Sequence, residues 1–107
     1  MSERKEKIES EILKVAATFL EIESDKTSLI TVTRVDISPD FKNADIYITV
    51  LPEKKEEDAL YFAKRKMSDF KDYVKKHMRI KSIPFFNIRI DVGEKNRQRI
   101  EELSKLS

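Results

Sequence analysis

The stretch Ile30-Thr31-Val32-Thr33-Arg34-Val35-Asp36-Ile37, then Ser38-Pro39-Asp40-Phe41-Lys42-Asn43, then Ala44-Asp45-Ile46-Tyr47-Ile48-Thr49-Val50 decides how this chain folds. Two runs rich in β-branched residues flank a polar turn. In the first run Ile30, Val32, Val35 and Ile37 are apolar, and Thr31, Thr33, Arg34 and Asp36 are polar. This reads as a strand over about Leu29 to Ile37. The alternation slips between Val32 and Val35, so a bulge or a twist is expected there. Ser38-Pro39-Asp40 is turn chemistry, because proline fixes φ and an aspartate can bond its own backbone. The second run alternates cleanly from about Ala44 to Leu51. Ala44, Ile46, Ile48 and Val50 (or Leu51) face inward, and Asp45, Tyr47 and Thr49 face outward. A linker this short makes the two strands an antiparallel pair.

Helical periodicity surrounds this pair. Ile8, Ile12, Val15, Ala16, Phe19 and Leu20 recur at spacings of three and four, which predicts a first helix over about Arg4 to Glu21. The polar stretch Glu23 to Ser28 breaks that pattern. After the second strand, Pro52 to Asp58 is a polar loop whose acidic end suits the positive end of a helix dipole. Leu60, Ala63, Met67, Phe70, Val74 and Met78 then form one apolar stripe, predicting a long helix over about Glu57 to Arg79. Pro84 closes that segment. A third strand is expected over Phe85 to Val92, with Phe86, Ile88 and Ile90 on one face and Asn87, Arg89 and Asp91 on the other. Of Phe85 and Phe86, one must point inward. Gly93 reads as a turn, and Ile100, Leu103 and Leu106 as a short C-terminal helix. The expected architecture is α+β in the order α-β-β-α-(α)-β, a three-stranded sheet packed against helices. That is the element order of a type II KH domain.

Composition narrows the functional classes. At 107 residues the chain is one domain, expected over residues 1–107 with a short tail from about residue 100. Leu, Ile, Val and Phe make up 31 of the 107 residues, enough for a true core beneath a surface that is 39% charged. With no cysteine, disulfides, thiolate zinc sites and a cysteine nucleophile are all excluded. A lone histidine, His77, makes a poor metal site and reads as a surface residue. One glycine cannot build a phosphate-cradling loop or a nucleophile turn, and no carboxylate pair sits in an apolar context, so no catalytic site assembles. No cofactor is expected. No segment resembles a signal core or approaches the ~18 apolar residues of a membrane span. A cytoplasmic, membrane-independent protein is therefore expected.

The net charge of +2 conceals a polarised distribution. Residues 1–63 carry 9 basic and 14 acidic side chains, whereas residues 64–81 carry 8 basic against Asp69 and Asp72. At 100° per residue Lys64, Ser68, Lys71, Lys75 and Arg79 fall on one stripe beside the apolar one. Such cations reach phosphates without reading bases, so the segment points to salt-sensitive RNA binding. Lys64, Lys71, Lys75, Lys76, Arg79 and Lys81 are the candidate contacts, with Arg34 and Arg89 as weaker ones. Tyr47 and Arg34 sit on strands and point opposite to many apolar neighbours; they either stack a base or pack across strands, and packing is the favoured reading.

Four segments carry a family resemblance. Thr31 to Asp40 followed by Ala44 to Val50 resembles the signature VTxVxxSxDxxxAxVYxSV of the ribosome-binding factor A family. Ala59-Leu60 matches the helix start, Met78-Arg79-Ile80-Lys81-Ser82-Ile83-Pro84 is similar to LRLRxxP, and Phe86-Asn87-Ile88-Arg89-Ile90-Asp91 to LxFxxD. They occur in the right order and spacing across about Arg4 to Ile100. The resemblance implies a KH-like fold without the GxxG loop, with the helix interrupted at an Ala-x-Gly kink instead. Lys66-Met67-Ser68 occupy those positions here. With both small residues changed, the helix is expected to bend less or to run straight. The resemblance further implies a non-enzymatic factor that binds the immature small ribosomal subunit and its rRNA, assists 16S rRNA processing and late assembly, acts as a monomer and leaves with the help of an assembly GTPase. Two rivals remain: a general KH-like RNA-binding module, and a protein-interaction domain that pairs a partner with its sheet edge.

Overall fold

The computed structural model describes residues 2–106; Met1 and Ser107, the ends of the expected domain, lie outside the described residues. The elements follow in the order α1 (Ser2–Glu23), β1 (Leu29–Ile37), β2 (Asn43–Leu51), one turn of 3-10 helix (Glu53–Lys55), α2 (Glu56–Arg65), α3 (Met67–His77), β3 (Phe85–Ile90) and α4 (Val92–Leu106). The sheet order is β1-β2-β3. β1 and β2 are antiparallel, and β2 and β3 are parallel. A parallel neighbour needs a long crossover, and α2 and α3 supply it.

The alternation seen in the sequence becomes two faces. Val35 pairs with Ile46, Ile37 with Ala44, and Val32 with Ile48 on the inner face. Across the other seam Ala44 pairs with Phe86, Ile46 with Ile88 and Ile48 with Ile90. The register shifts between Val32 and Arg34, leaving Thr33 as the extra residue. That bulge is what lets both valines reach the core although they stand three positions apart, with two residues between them. Val50, rather than Leu51, is the buried residue at the end of β2.

Ile12, Ala16, Phe19 and Leu20 of α1, Ala59 and Ala63 of α2, and Phe70 and Val74 of α3 bury their stripes against this face. An aromatic cluster ties the layers together. The Phe70 ring lies 5.3 Å from Phe19 and 4.8 Å, edge-on, from Phe86. Such tilted pairs contribute about 0.5–1.5 kcal/mol each beyond the area they bury.

Two expectations are corrected. The long helix is not straight: it is divided at Lys66, whose φ of −91° and ψ of 5° leave the helical region. The ladder is not abandoned there, since the Lys66 N–H donates to the Phe62 carbonyl and the Lys66 carbonyl accepts from the Phe70 N–H. The Lys66 ammonium lies 3.7 Å from the Glu23 carboxylate and 3.9 Å from that of Asp69, so the break is tethered to the end of α1. The second correction concerns the C-terminus. β3 ends at Ile90, and Gly93 is inside a helix of 15 residues rather than in a turn. Asp91 caps that helix by accepting the Glu94 N–H at 3.1 Å. Ile100 and Leu103 of α4 are exposed; the side chain of Leu106 lies outside the described residues.

Candidate nucleic-acid interface

The break at Lys66 redistributes the expected stripe over three segments. Lys64 ends α2, Ser68, Lys71 and Lys75 line α3 with Lys76 beside them, and Arg79 and Lys81 stand on the connector between α3 and β3. Lys64, Lys75, Lys76, Arg79 and Lys81 are exposed, and Lys71 is half-buried. None of the six forms an ion pair among the described residues. Cations with hydrated, unpaired heads are free to exchange water for phosphate oxygens, and each contact releases counterions from the nucleic acid.

Arg34 and Arg89 differ from these. They lie on the outer face of the sheet, in one row with Tyr47 between them. The Arg34 guanidinium sits 3.9 Å above the Tyr47 ring and donates to Asp36 at 2.8 Å. Arg89 lies 3.4 Å from Asp45. Both charges are thus engaged, and Tyr47 serves cross-strand packing. Each guanidinium is more than half exposed and keeps N–H donors beyond its carboxylate contact, so these two stand as paired cations beside the six open ones.

Behind Arg34 sits a polar knot at the bulge. The Thr33 hydroxyl donates to Asp91 Oδ2 at 2.6 Å, and Arg34 Nε lies 3.6 Å from the same oxygen. Those bonds, together with the Glu94 N–H, hold the Asp91 carboxyl below its ordinary pKa, the Thr33 hydroxyl contributing most. This knot fixes the outer face rather than offering it to a ligand.

His77 is exposed, stacked on Tyr73 with ring centroids 3.9 Å apart. Its Nδ1 is 2.9 Å from the Tyr73 carbonyl oxygen; as a carbonyl only accepts, Nδ1 carries the proton. Among the described residues no group of three or more His, Asp or Glu side chains is placed to hold a metal. Among the described residues no helix is long and apolar enough to cross a membrane.

The structure adds an aromatic that sequence reasoning did not single out. Phe86 is the core member of its pair, and Phe85 remains 58% exposed. The Lys71 ammonium lies 5.6 Å from the Phe85 ring centroid. The Phe85 N–H donates to the Lys42 carbonyl at 2.8 Å, which brings the start of β3 against the β1–β2 turn. An exposed aromatic beside open lysines is the pairing that single-stranded nucleic acids use, the ring for a base and the cation for a phosphate.

Comparison with known proteins identifies the family of the chain. The family model described as Ribosome-binding factor A matches residues 4–104. The chain belongs to the ribosome-binding factor A family. A relative named Ribosome-binding factor A from Fervidobacterium nodosum is 35% identical over 102 residues, covering 90% of this chain and 82% of its own. The crystal structure of ribosome-binding factor A from Thermus thermophilus superimposes with a TM-score of 0.73 at 22% identity, over 80% of this chain and 93% of that one. The solution structure of a Thermotoga maritima protein described as a putative ribosome binding factor A gives 0.67 at 30% identity, over 79% and 84%. The fold is accordingly KH-like, as the element order implied. In this member of the ribosome-binding factor A family the helix break falls on Lys66, the first of the three positions at which the family kink was expected, although neither small residue is present.

Proposed function

We propose that the protein is a maturation factor that binds the immature small ribosomal subunit through its rRNA and assists 16S rRNA processing and late small-subunit assembly. The observation that carries this reading is the group of six unpaired cations on α2, α3 and the following connector, in a chain of the ribosome-binding factor A family. Membership supplies the ribosome, and the open cations with exposed Phe85 supply the means of contact. The action is non-enzymatic. Lys64, Lys71, Lys75, Lys76, Arg79 and Lys81 neutralise phosphates, and the shape of the adjoining helix and sheet edge selects an RNA conformation. The protein works in the cytoplasm as a monomer and is released when maturation is complete, with the help of an assembly GTPase.

Co-sedimentation with separated small and large subunits across a salt series tests the reading. Selective, salt-sensitive binding to small subunits is expected, lost in Lys71→Glu/Lys75→Glu with an unchanged melting curve. Equal binding to both subunits would reduce the protein to a general RNA-binding module. Binding that survives high salt would refute an interface made of phosphate contacts.

A further inference from the structure

Where the first turns of α1, the β1–β2 turn and the α3–β3 connector meet, a groove of about 460 Å³ opens to solvent. Its floor is apolar, built from Ile8, Ile37 and Phe41, and its rim carries Arg4 and Lys7 from α1 and Arg79 and Lys81 from the connector. Glu11 is the one carboxylate on the lining. Four cations around an aromatic floor form a different kind of surface from the open face of α3.

The floor is held rigidly. Phe41 adopts a φ of 61°, in the left-handed region that bulky residues avoid. Its turn imposes this: the Phe41 N–H donates to the Ser38 carbonyl at 2.9 Å, and Asp40 accepts both the Ser38 hydroxyl at 2.6 Å and the Lys42 N–H at 3.0 Å. Glu9 fixes the Ile37 part of the floor to α1 by accepting the Ile37 N–H at 2.8 Å. A strained, over-determined conformation that presents an aromatic ring is the signature of a pre-organised contact. The Arg4 guanidinium lies 5.4 Å from the Phe41 centroid, covering the ring.

We propose that this groove receives one unpaired nucleotide of single-stranded RNA, its base stacked on Phe41 and its phosphates held by Arg4, Lys7, Arg79 and Lys81. The proposal rests on the RNA-binding reading above and names the RNA element that this end of the domain takes. Every base has a π-face, so an aromatic platform accepts it without sequence readout, while the cations fix the backbone. A base entering as a third layer needs about 3.4 Å on each side, the spacing of stacked bases. Arg4 therefore moves outward by one to two ångströms, roughly, and closes over the base as a guanidinium lid. Glu11 is an acceptor for a base amino group, as carboxylates are for cytosine N4. A continuous duplex keeps its bases stacked inside and leaves the floor unused.

The chain has no tryptophan, so Phe41→Trp places a single indole on the floor, excited apart from the tyrosines. Titration with a single-stranded heptaribonucleotide should quench it, and a fully paired RNA duplex should not. Phe41→Leu keeps an apolar floor without a ring and should bind the heptaribonucleotide about tenfold more weakly, as loss of one base–aromatic stack does. Phe41→Tyr should retain wild-type affinity, which separates loss of stacking from damage to the turn. Wild-type affinity in Phe41→Leu, with binding lost in Lys71→Glu/Lys75→Glu, would overturn the groove and leave the α3 surface standing. No binding of wild-type protein to either the heptaribonucleotide or ribosomal subunits would overturn both.

Discussion

Replacing Asp91 by alanine should destabilise the domain more than any other change on the outer face of the sheet. Its carboxylate joins two elements: it caps α4 through the Glu94 N–H, and at the bulge of β1 it accepts the Thr33 hydroxyl and lies beside Arg34. Loss of a helix N-cap costs about 1 kcal/mol. Loss of a hydrogen bond to a charged acceptor costs about 1.5–3 kcal/mol. The Thr33 hydroxyl has a second acceptor, the Tyr47 carbonyl at 3.2 Å, and is not left unpaired, which favours the lower end of that range. The sum is about 2–3 kcal/mol; at roughly 4–8 °C per kcal/mol for a domain near this size, Tm should fall by about 10–20 °C. The effect has a defined pH dependence. Asp91 has a depressed pKa in the folded state, so its charged form stabilises the protein above the unfolded pKa of about 3.9, and this is lost as pH falls through the folded value. Thermal melts of wild type, Asp91→Asn and Asp91→Ala at pH 7 and in the acid range provide the check. Asn keeps the cap and should lie between the other two, and the gap between wild type and Asn should narrow in acid. A Tm drop under about 2 °C for Asp91→Ala, well below the range above, would refute the account.

Other expectations follow from the same geometry. Phe70→Ala empties the centre of the aromatic cluster and should cost about 3–5 kcal/mol, lowering Tm by more than about 10 °C; a cooperative transition within a few degrees of wild type would contradict this. Glu9→Ala orphans the Ile37 N–H and should cost about 1–3 kcal/mol, measured by urea unfolding at unchanged m. If four to six open cations engage phosphates, a plot of log affinity for single-stranded RNA against log salt should have a slope of about −3 to −4; a flat plot would show that the cations do not carry binding.

Much of the fold was legible, for reasons that can be traced to residues. The displaced valines at 32 and 35 demanded an extra residue, and the bulge lies there. Alternation through Ala44, Ile46 and Ile48 set the inner face of β2 without reference to its neighbours. The break at Lys66 was signalled only by the family resemblance, because Ala63, Met67, Phe70 and Val74 keep helical spacing across it and no glycine or proline marks it. α4 was underestimated because Gly93 suggested a turn. The informative signal was Asp91 with Glu94 three residues on, the pattern of a helix start. For the candidate site, clustered lysines exposed the basic face. The Arg34–Asp36 pair lies two residues apart on one strand face and is within reach of sequence reading, whereas the Arg89–Asp45 pair depends on the β2–β3 register. The groove was invisible for the same reason. Arg4, Phe41 and Lys81 come from three separate segments and meet only in the folded chain.

The mixed sheet also sets an order of assembly. β1 and β2 pair through a short turn, so their contacts close a small loop at little entropic cost. The parallel seam instead joins Asn43 to Phe85, and it cannot form until both crossover helices have spanned the sheet. Non-local pairings of this kind are made late and slow the folding rate. Weakening the β1–β2 turn should therefore retard folding, whereas trimming Phe86 at the parallel seam should act mainly on the rate of unfolding. The basic surface sits on that crossover and the segment leading to β3, so it should be completed only when the parallel seam closes, after the hairpin that supports it.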